Sequence, residues 1–573
     1  MNWDLSALYE NEKKLTHDLE DAKERAKSFQ SLFKGKLKSL HVNEFLETIC
    51  EYEALNEKLG RIMTYAFLTF ATDSEKGGFY AKYQNEYTKI AENLLFFELE
   101  FNTLVKSKQE EFISAIPKYQ YYLESLMVEK PYQLSQKEER ILLKKEMTSS
   151  SAFSRLFDEQ FSNMSFSYEG KRISEEEILS KLQNPSREVR KKAARIFTKE
   201  LNKHQPLLTY IFNMIKTDLS NECELRGYKN AEQPRHIDNK ITQKSVNALV
   251  KSAESSFHLV QAYYTQKAKL LGLDELFEYD RYAPLESSRT EYSFDRSKEI
   301  VLTAFKKFNP KFHDIAKRAF DEKWIDVMPK NKKRGGAFSH PATPSTHPYV
   351  LLNHTNTRRD LFTLAHELGH AIHQYLSRDV GYLGSDTPLT TSETASVFAE
   401  MLVFDAIKEG LSTEEKRSLY ASKIEDIFST LYRQINFTTF ERLVHAHEGE
   451  VDHKTFNAYW MQESQKMFGK SITVSKDYAI WWSYIPHFIH SPFYCYAYSY
   501  GQLLVLALYG LYKKSDSKEF VKKYTQFLSA GGSQSPKALI ESFGFDIEDE
   551  AFWALGIGEV ELILEEFKGM YDA

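Results

Sequence analysis

Across residues 45–110, apolar and aromatic side chains recur at mixed three- and four-residue spacing, with Lys and Glu between them. That is the period of helices with one buried face. The same texture predicts a mostly helical chain up to residue ~330. The stretch EEEILSKLQNPSREVRKKAARIFTKEL (175–201) predicts two helices broken at Asn184–Pro185, with Ser186 as N-cap of the second. Residues 241–271 predict another long helix. There is no internal repeat and no low-complexity tract.

The pattern changes at 329–348, where PKNKKRGGAFSHPATPSTHP is too rich in Gly, Pro, Ser and Thr for a helix interior. YVLL (349–352) then predicts a short strand. Thr357, with Asp360 three residues on, predicts a capping box that starts a helix running to about Ser377, with Gly381 in the loop beyond. A second helix is expected over TTSETASVFAEMLVFDAI (390–407), with Val397, Met401 and Phe404 on one face. Further helices are expected over 414–446 and 452–468, and a last group after Pro492 and on either side of the turn AGGSQSPKALIES (530–542).

Composition narrows the class. With 573 residues, 42% hydrophobic and 27% charged, the chain can bury a large core without disulfide staples. A net charge of −6 provides no global basic field for nucleic acid or anionic membrane, and the local KNKKR (330–334) reads as a solvated loop. Cys50, Cys223 and Cys495 are dispersed and form no CxxC motif, which fits a reducing compartment. The charged start MNWDLSALYENEKK has no signal-peptide pattern, and the apolar run LLVLALYGLY (503–512) falls short of the about 20 residues a bilayer span needs. A cytoplasmic protein without membrane or nucleic-acid partners is the expectation.

The candidate chemistry lies in TLAHELGHAIHQYL (363–376). His366 and His370 are four apart and so share one face of a helix, and Glu367 sits one position round from the first. Two imidazoles can then hold one metal ion while the carboxylate reaches a water on it, which is the physical content of the H-E-x-x-H zinc-protease signature. The bland alternative is a helix with satisfied, partly buried histidines. Gly369 inside this helix costs about 1 kcal/mol relative to Ala, so something should pack closely there. A catalytic zinc takes three protein ligands and keeps a position open. His373 lies too far along the helix to share the ion easily, and His354 suits a substrate groove better. Glu393, in the first turn of the next helix with Thr391 or Ser392 as cap, is the better third ligand. Its alternative role is an acid placed to complement the helix dipole. Glu400, seven residues on and on the same face, could accept the second N–H of a ligand histidine.

The runs HPYVLLNHTNTRRDLFTLAHELGHAIHQYLS (347–377) and GYLGSDTPLTTSETASVFAEML (381–402) resemble the oligoendopeptidase F family, which is related to thimet oligopeptidase within the zinc metallopeptidases. WDLSALY (3–9), RGYKN (226–230), YDRYAPL (279–285), HFIHSPFYCYAYS (487–499) and AGGSQSPKALIESFGFD (530–546) carry the same resemblance in consistent order. It implies a mainly α, helical ellipsoid with a deep central substrate channel and a small β-sheet beside the zinc-site helix. Residues 1–190 would form one channel wall and 191–573 the catalytic region. It implies one Zn2+ per chain on His366, His370 and Glu393, with Glu367 as general base. The segment 347–353 would be the edge strand on which oligopeptide substrates lie. His487, Tyr494 and Tyr498 would contact the substrate carbonyl, or any one of these tyrosines could be core. Thimet oligopeptidase has a further tyrosine where this chain has Gly501. The implied activity is endo-cleavage of short unstructured peptides by a monomer or small homo-oligomer. An exopeptidase or dipeptidyl carboxypeptidase with the same zinc chemistry is the alternative, and a non-catalytic peptide binder has no use for Glu367.

Overall fold

The computed structural model describes residues 1–285, 290–515 and 517–572. It is mainly α, 73% helical, with one two-stranded and one three-stranded sheet among the described residues. Among these residues, no helix is long and apolar enough to cross a membrane. The chain folds into two compact units, each assembled from three stretches. The first comprises Met1–Lys130, Thr290–Glu409 and Tyr512–Gly544, and the second Pro131–Arg289, Gly410–Leu511 and Phe545–Ala573.

The first unit is built on the long helix Val42–Thr72, whose buried face includes Phe45, Ile49, Leu55, Leu59 and Ile62. Phe45 stacks on Phe112 with ring centroids 3.9 Å apart, and Tyr52 stacks on Phe97 at 4.4 Å. The unit's sheet has the order Ile325–Asp326, Tyr349–Leu351, Phe338–His340, with the first pair parallel and the second antiparallel. The expected strand at 349–352 is therefore present, but it is the central strand. The edge expected at 347–353 is supplied instead by Phe338–His340, because Tyr349–Leu351 is paired on both sides. Two lysines of KNKKR do more than meet solvent: Lys333 and Lys330 bond the Asp326 carboxylate at 2.7 and 3.1 Å.

The second unit packs around the 40-residue helix Arg187–Arg226, which buries Phe197, Leu201, Ile211 and Phe212 and tolerates Pro206 inside it. Trp481 donates its indole N–H to Thr198 Oγ1 at 2.8 Å, tying the 3-10 segment Lys476–Tyr484 to that helix. Ser186 stands at the expected N-cap, but its side chain makes no capping bond. Arg190 instead takes the carbonyls of Asn184 and Pro185, both at 2.8 Å. The single helix expected over 241–271 is two, Gln243–Ser255 and Phe257–Leu270. The break falls at Ser256, whose hydroxyl donates to Ala253 O at 2.9 Å and so competes with the helical ladder.

Candidate metal centre

The motif helix, Arg358–Ser377, begins at a reciprocal cap: Thr357 Oγ1 accepts the Asp360 N–H, and Asp360 Oδ2 accepts the N–H groups of Thr355 and Thr357. Leu361, Leu364, Ala365, Leu368, Ala371 and Ile372 bury one face. The opposite face carries His366, His370 and Gln374 at four-residue spacing. The chain then leaves through Arg378–Val380 to Gly381, which takes φ +89° and has room for no side chain, since Glu53 Oε1 lies 2.4 Å from where a Cβ would sit.

Gly369 meets its partner as its cost implied. A Cβ there would fall 2.5 Å from the Ala395 carbonyl oxygen and 2.6 Å from Ser396 Cα, so only glycine lets the helix Thr394–Lys408 approach this closely. That approach brings Glu393 to the histidines. Glu393 is not in the first turn as expected. It is itself the N-cap position, at φ −78° and ψ −1°, between the short turn Leu389–Ser392 and the helix. Its Oε2 lies 3.3 Å from His366 Nε2 and 3.4 Å from His370 Nε2, and one donor atom from each of the three falls within 4.8 Å of the others. Bonds of about 2.0–2.1 Å to a tetrahedral zinc place neighbouring donors about 3.3–3.4 Å apart, so the set fits such an ion. The Ser396 hydroxyl donates to Glu393 Oε2 at 2.7 Å and fixes the carboxylate's orientation.

Glu400 occupies the place expected of it, 2.7 Å from His366 Nδ1. It leaves Nε2 directed at Glu393. In the metal-free protein burial lowers the His366 pKa, but the Glu400 contact and the surrounding carboxylates outweigh it and lift it to about 9. Burial opposes ionisation of Glu393 as well, yet the His370 bond and both imidazoles hold it down at about 2. Glu367 is 6% exposed, and burial raises its pKa against the pull of His366 and His370. His373 is buried and pushed down to about 3, chiefly by desolvation. His354 is not in a groove. It is 2% exposed and packs edge-on against Phe294 at 5.6 Å, because the strand before it turns it inward.

The three candidate ligands and Glu367 open onto a cleft of about 1190 Å3 within the first unit. Phe67, Tyr80, Tyr87 and Tyr382 line it, and the edge strand Phe338–His340 runs along it. Val350 and Leu352 donate their N–H groups to Trp324 and Asp326, so Tyr349 and Leu351 face Phe338–His340. By strand alternation the backbone groups of Ser339 point outward into the cleft. Gln374 was missed in the sequence. Its Nε2 donates to Ser339 O at 3.2 Å and its Oε1 accepts the Ser339 hydroxyl at 2.8 Å, joining strand to helix. Its position one turn after His370 was the available signal.

His487, Tyr494 and Tyr498 come together in the second unit. His487 Nε2 lies 3.3 Å from the Tyr498 hydroxyl, and the Tyr494 and Tyr498 rings meet edge to face at 5.0 Å. All three are half-buried, whereas Tyr496 and Tyr500 are core; the Tyr496 hydroxyl bonds His236 and Asn239, each at 2.9 Å. Phe493, just before Tyr494, takes φ +58° and gives its N–H to the fully buried Glu441 at 2.8 Å.

Residues 180–559 match the profile of Peptidase family M3, and residues 100–166 match that of Oligopeptidase F. Oligopeptidase PepF of Bacillus subtilis (strain 168) is 29% identical over 95% of this chain and 83% of its own. An oligoendopeptidase F homolog of Borreliella burgdorferi is 27% identical over 99% of this chain and 98% of its own. Among solved structures, a candidate peptidase of Chlamydophila abortus superposes with a TM-score of 0.89 at 24% identity, over 99% of this chain and 98% of that one. Oligoendopeptidase-F of Enterococcus faecium gives 0.70 at 20% identity over 98% of each chain. At such identities these two attest the shared fold. The profile match spans well over half the sequence, and on it the chain belongs to peptidase family M3, a metallo-oligopeptidase that hydrolyses peptide substrates.

Proposed function

We propose that the protein is a zinc oligoendopeptidase that cuts internal bonds of short, unfolded peptides, with His366, His370 and Glu393 as ligands of one zinc ion and Glu367 as general base. The observation that carries this is the donor triangle, with separations of 3.3 and 3.4 Å, beside a buried carboxylate that is not part of it. A bound zinc ion supplies a Lewis acid that polarises the scissile carbonyl and acidifies water. Glu367 takes the proton of the attacking water and delivers it to the leaving amine. Burial, which raises its pKa, suits it to hold that proton between the two steps. Glu400 keeps His366 in the tautomer that presents Nε2.

The substrate backbone lies along Phe338–His340 as an added strand, which supplies affinity through main-chain bonds and leaves sequence choice to the side-chain walls. His487, Tyr494 and Tyr498 donate to the substrate carbonyl as negative charge develops there. Support for these three is the resemblance of 487–499, the His487–Tyr498 contact at 3.3 Å, the packing of the Tyr494 ring against both, and their half-buried state. The absence of any disulfide among Cys50, Cys223 and Cys495 agrees with a cytoplasmic location.

The test is cleavage of an internally quenched peptide of about ten residues, blocked at both ends, with and without a chelator. Chelator-sensitive cleavage at an internal bond is expected. Cleavage only of peptides with a free terminus would replace this reading with an exopeptidase, and chelator-insensitive cleavage would remove the metal from the reaction.

A further inference from the structure

The second unit contains a small pocket, about 40 Å3, that the peptide chemistry does not use. Val260, Phe428, Met467 and Phe468 supply apolar walls, Tyr264, Arg281, Tyr282 and Arg433 complete the lining, and both guanidiniums converge on the Tyr282 hydroxyl. Arg281 is 4% exposed. Its Nε donates to Glu278 O at 3.1 Å, and one terminal nitrogen reaches the Tyr282 hydroxyl only at 3.4 Å. Arg433 donates to the hydroxyls of Tyr282 and Tyr484 at 2.9 and 2.8 Å, while its Nε–H, wholly buried, has no acceptor among the described residues.

Neither guanidinium has a carboxylate partner among the described residues. The acid at the pocket, Glu425, is already engaged, because Lys267 Nζ and the Tyr263 hydroxyl both bond its Oε1, at 2.5 and 2.6 Å. Lys267 spends its charge on Glu425, and the nearby buried Glu278 turns its carboxylate to Ser475 N and Oγ, at 2.9 and 2.7 Å, so among the described residues both guanidiniums are left without a carboxylate in contact. Aromatic faces take up part of that positive charge: the Arg281 guanidinium lies 5.0 Å from the Tyr282 ring centre and 5.3 Å from that of Phe468. A ring face offsets only part of the cost of removing a guanidinium from water, and two like charges beside apolar walls raise that cost. An arginine without a carboxylate keeps unspent donors of fixed geometry. The pocket exceeds the roughly 10–15 Å3 that one water needs and falls far below the roughly 300 Å3 of a small-molecule site.

We infer that this pocket is a binding site for one chloride-sized inorganic monoanion, held between the guanidiniums of Arg281 and Arg433 beside the Tyr282 hydroxyl. The anion supplies the missing negative charge and an acceptor for the unspent donors. It therefore stabilises the folded second unit, and this does not depend on the zinc reading.

The experiment is thermal unfolding of the full chain, exchanged into sodium gluconate and titrated with sodium chloride or bromide at constant ionic strength. Gluconate is too large for the pocket and serves as the reference. A saturable rise in Tm of about 3 °C or more with both halides is expected. Arg433→Gln should abolish the response, and Arg281→Lys, which keeps the charge but loses the fork, should move its midpoint about tenfold higher. A Tm that follows ionic strength alone overturns the site, as it would if an ionised Tyr282 already supplied the charge. A halide response that survives intact in both variants overturns it too. If Arg433→Gln does not fold, the wild-type titration and Arg281→Lys decide the matter.

Discussion

Replacing Gly369 by alanine tests whether close helix packing sets the donor geometry. Helix propensity alone favours the change by about 1 kcal/mol. The new Cβ, however, would stand 2.5 Å from the Ala395 carbonyl oxygen and 2.6 Å from Ser396 Cα, both backbone atoms. Ordinary contact begins near 3.5 Å, so the two helices must part by about 1 Å. Overpacking of this kind costs about 1–3 kcal/mol, leaving a net loss of up to about 2 kcal/mol and a Tm lower by up to about 2–3 °C. The same movement carries Glu393 away from His366 and His370, stretching separations now at 3.3 and 3.4 Å beyond the edge of a zinc tetrahedron. Metal affinity should fall at least about 10–100-fold, the scale of disturbing ligand orientation. Unfolding of the metal-free protein and competition with a chelator of known affinity measure both quantities. An unchanged or higher Tm with unchanged zinc affinity would refute the packing argument.

Other expectations follow from neighbouring contacts. Glu400→Gln should weaken zinc about tenfold or more in the same competition, because the 2.7 Å bond at His366 Nδ1 loses its charge; unaltered affinity would sever Glu400 from the site. Gln374→Ala removes two bonds to Ser339, each worth about 1 kcal/mol, and should raise KM about tenfold with kcat nearly constant. A fall confined to kcat would place Gln374 elsewhere in the reaction. Burial raises the pKa of Glu441 well above the ordinary carboxyl value. A raised folded-state value contributes stability that is present below the unfolded pKa and lost as pH rises. Relative to wild type, Glu441→Gln should therefore gain Tm from pH 5 to pH 8, and a constant or shrinking difference would contradict this.

Short-range chemistry was the legible part of the sequence. The Thr357–Asp360 cap, the shared face of His366 and His370, and the cost of Gly369 are local, and the structure realises each of them. What escaped depends on partners distant along the chain. YVLL reads as a strand by composition, but only pairing with both Ile325–Asp326 and Phe338–His340 makes it central. Ser256 breaks a run of helical periodicity through a hydroxyl that the period does not register. His354 looks like a groove residue in sequence, and it is buried in the fold. Glu393 was legible as a residue but not as an N-cap, since its conformation is set by the preceding turn Leu389–Ser392.

The central claim is that Glu367 moves the proton without holding the metal. Its most direct test is turnover of the blocked, quenched peptide by Glu367→Gln protein carrying a measured one zinc per chain. The account predicts a full complement of zinc and a rate at least about 10³-fold below wild type. A variant that keeps its zinc and cleaves within tenfold of wild type would contradict it.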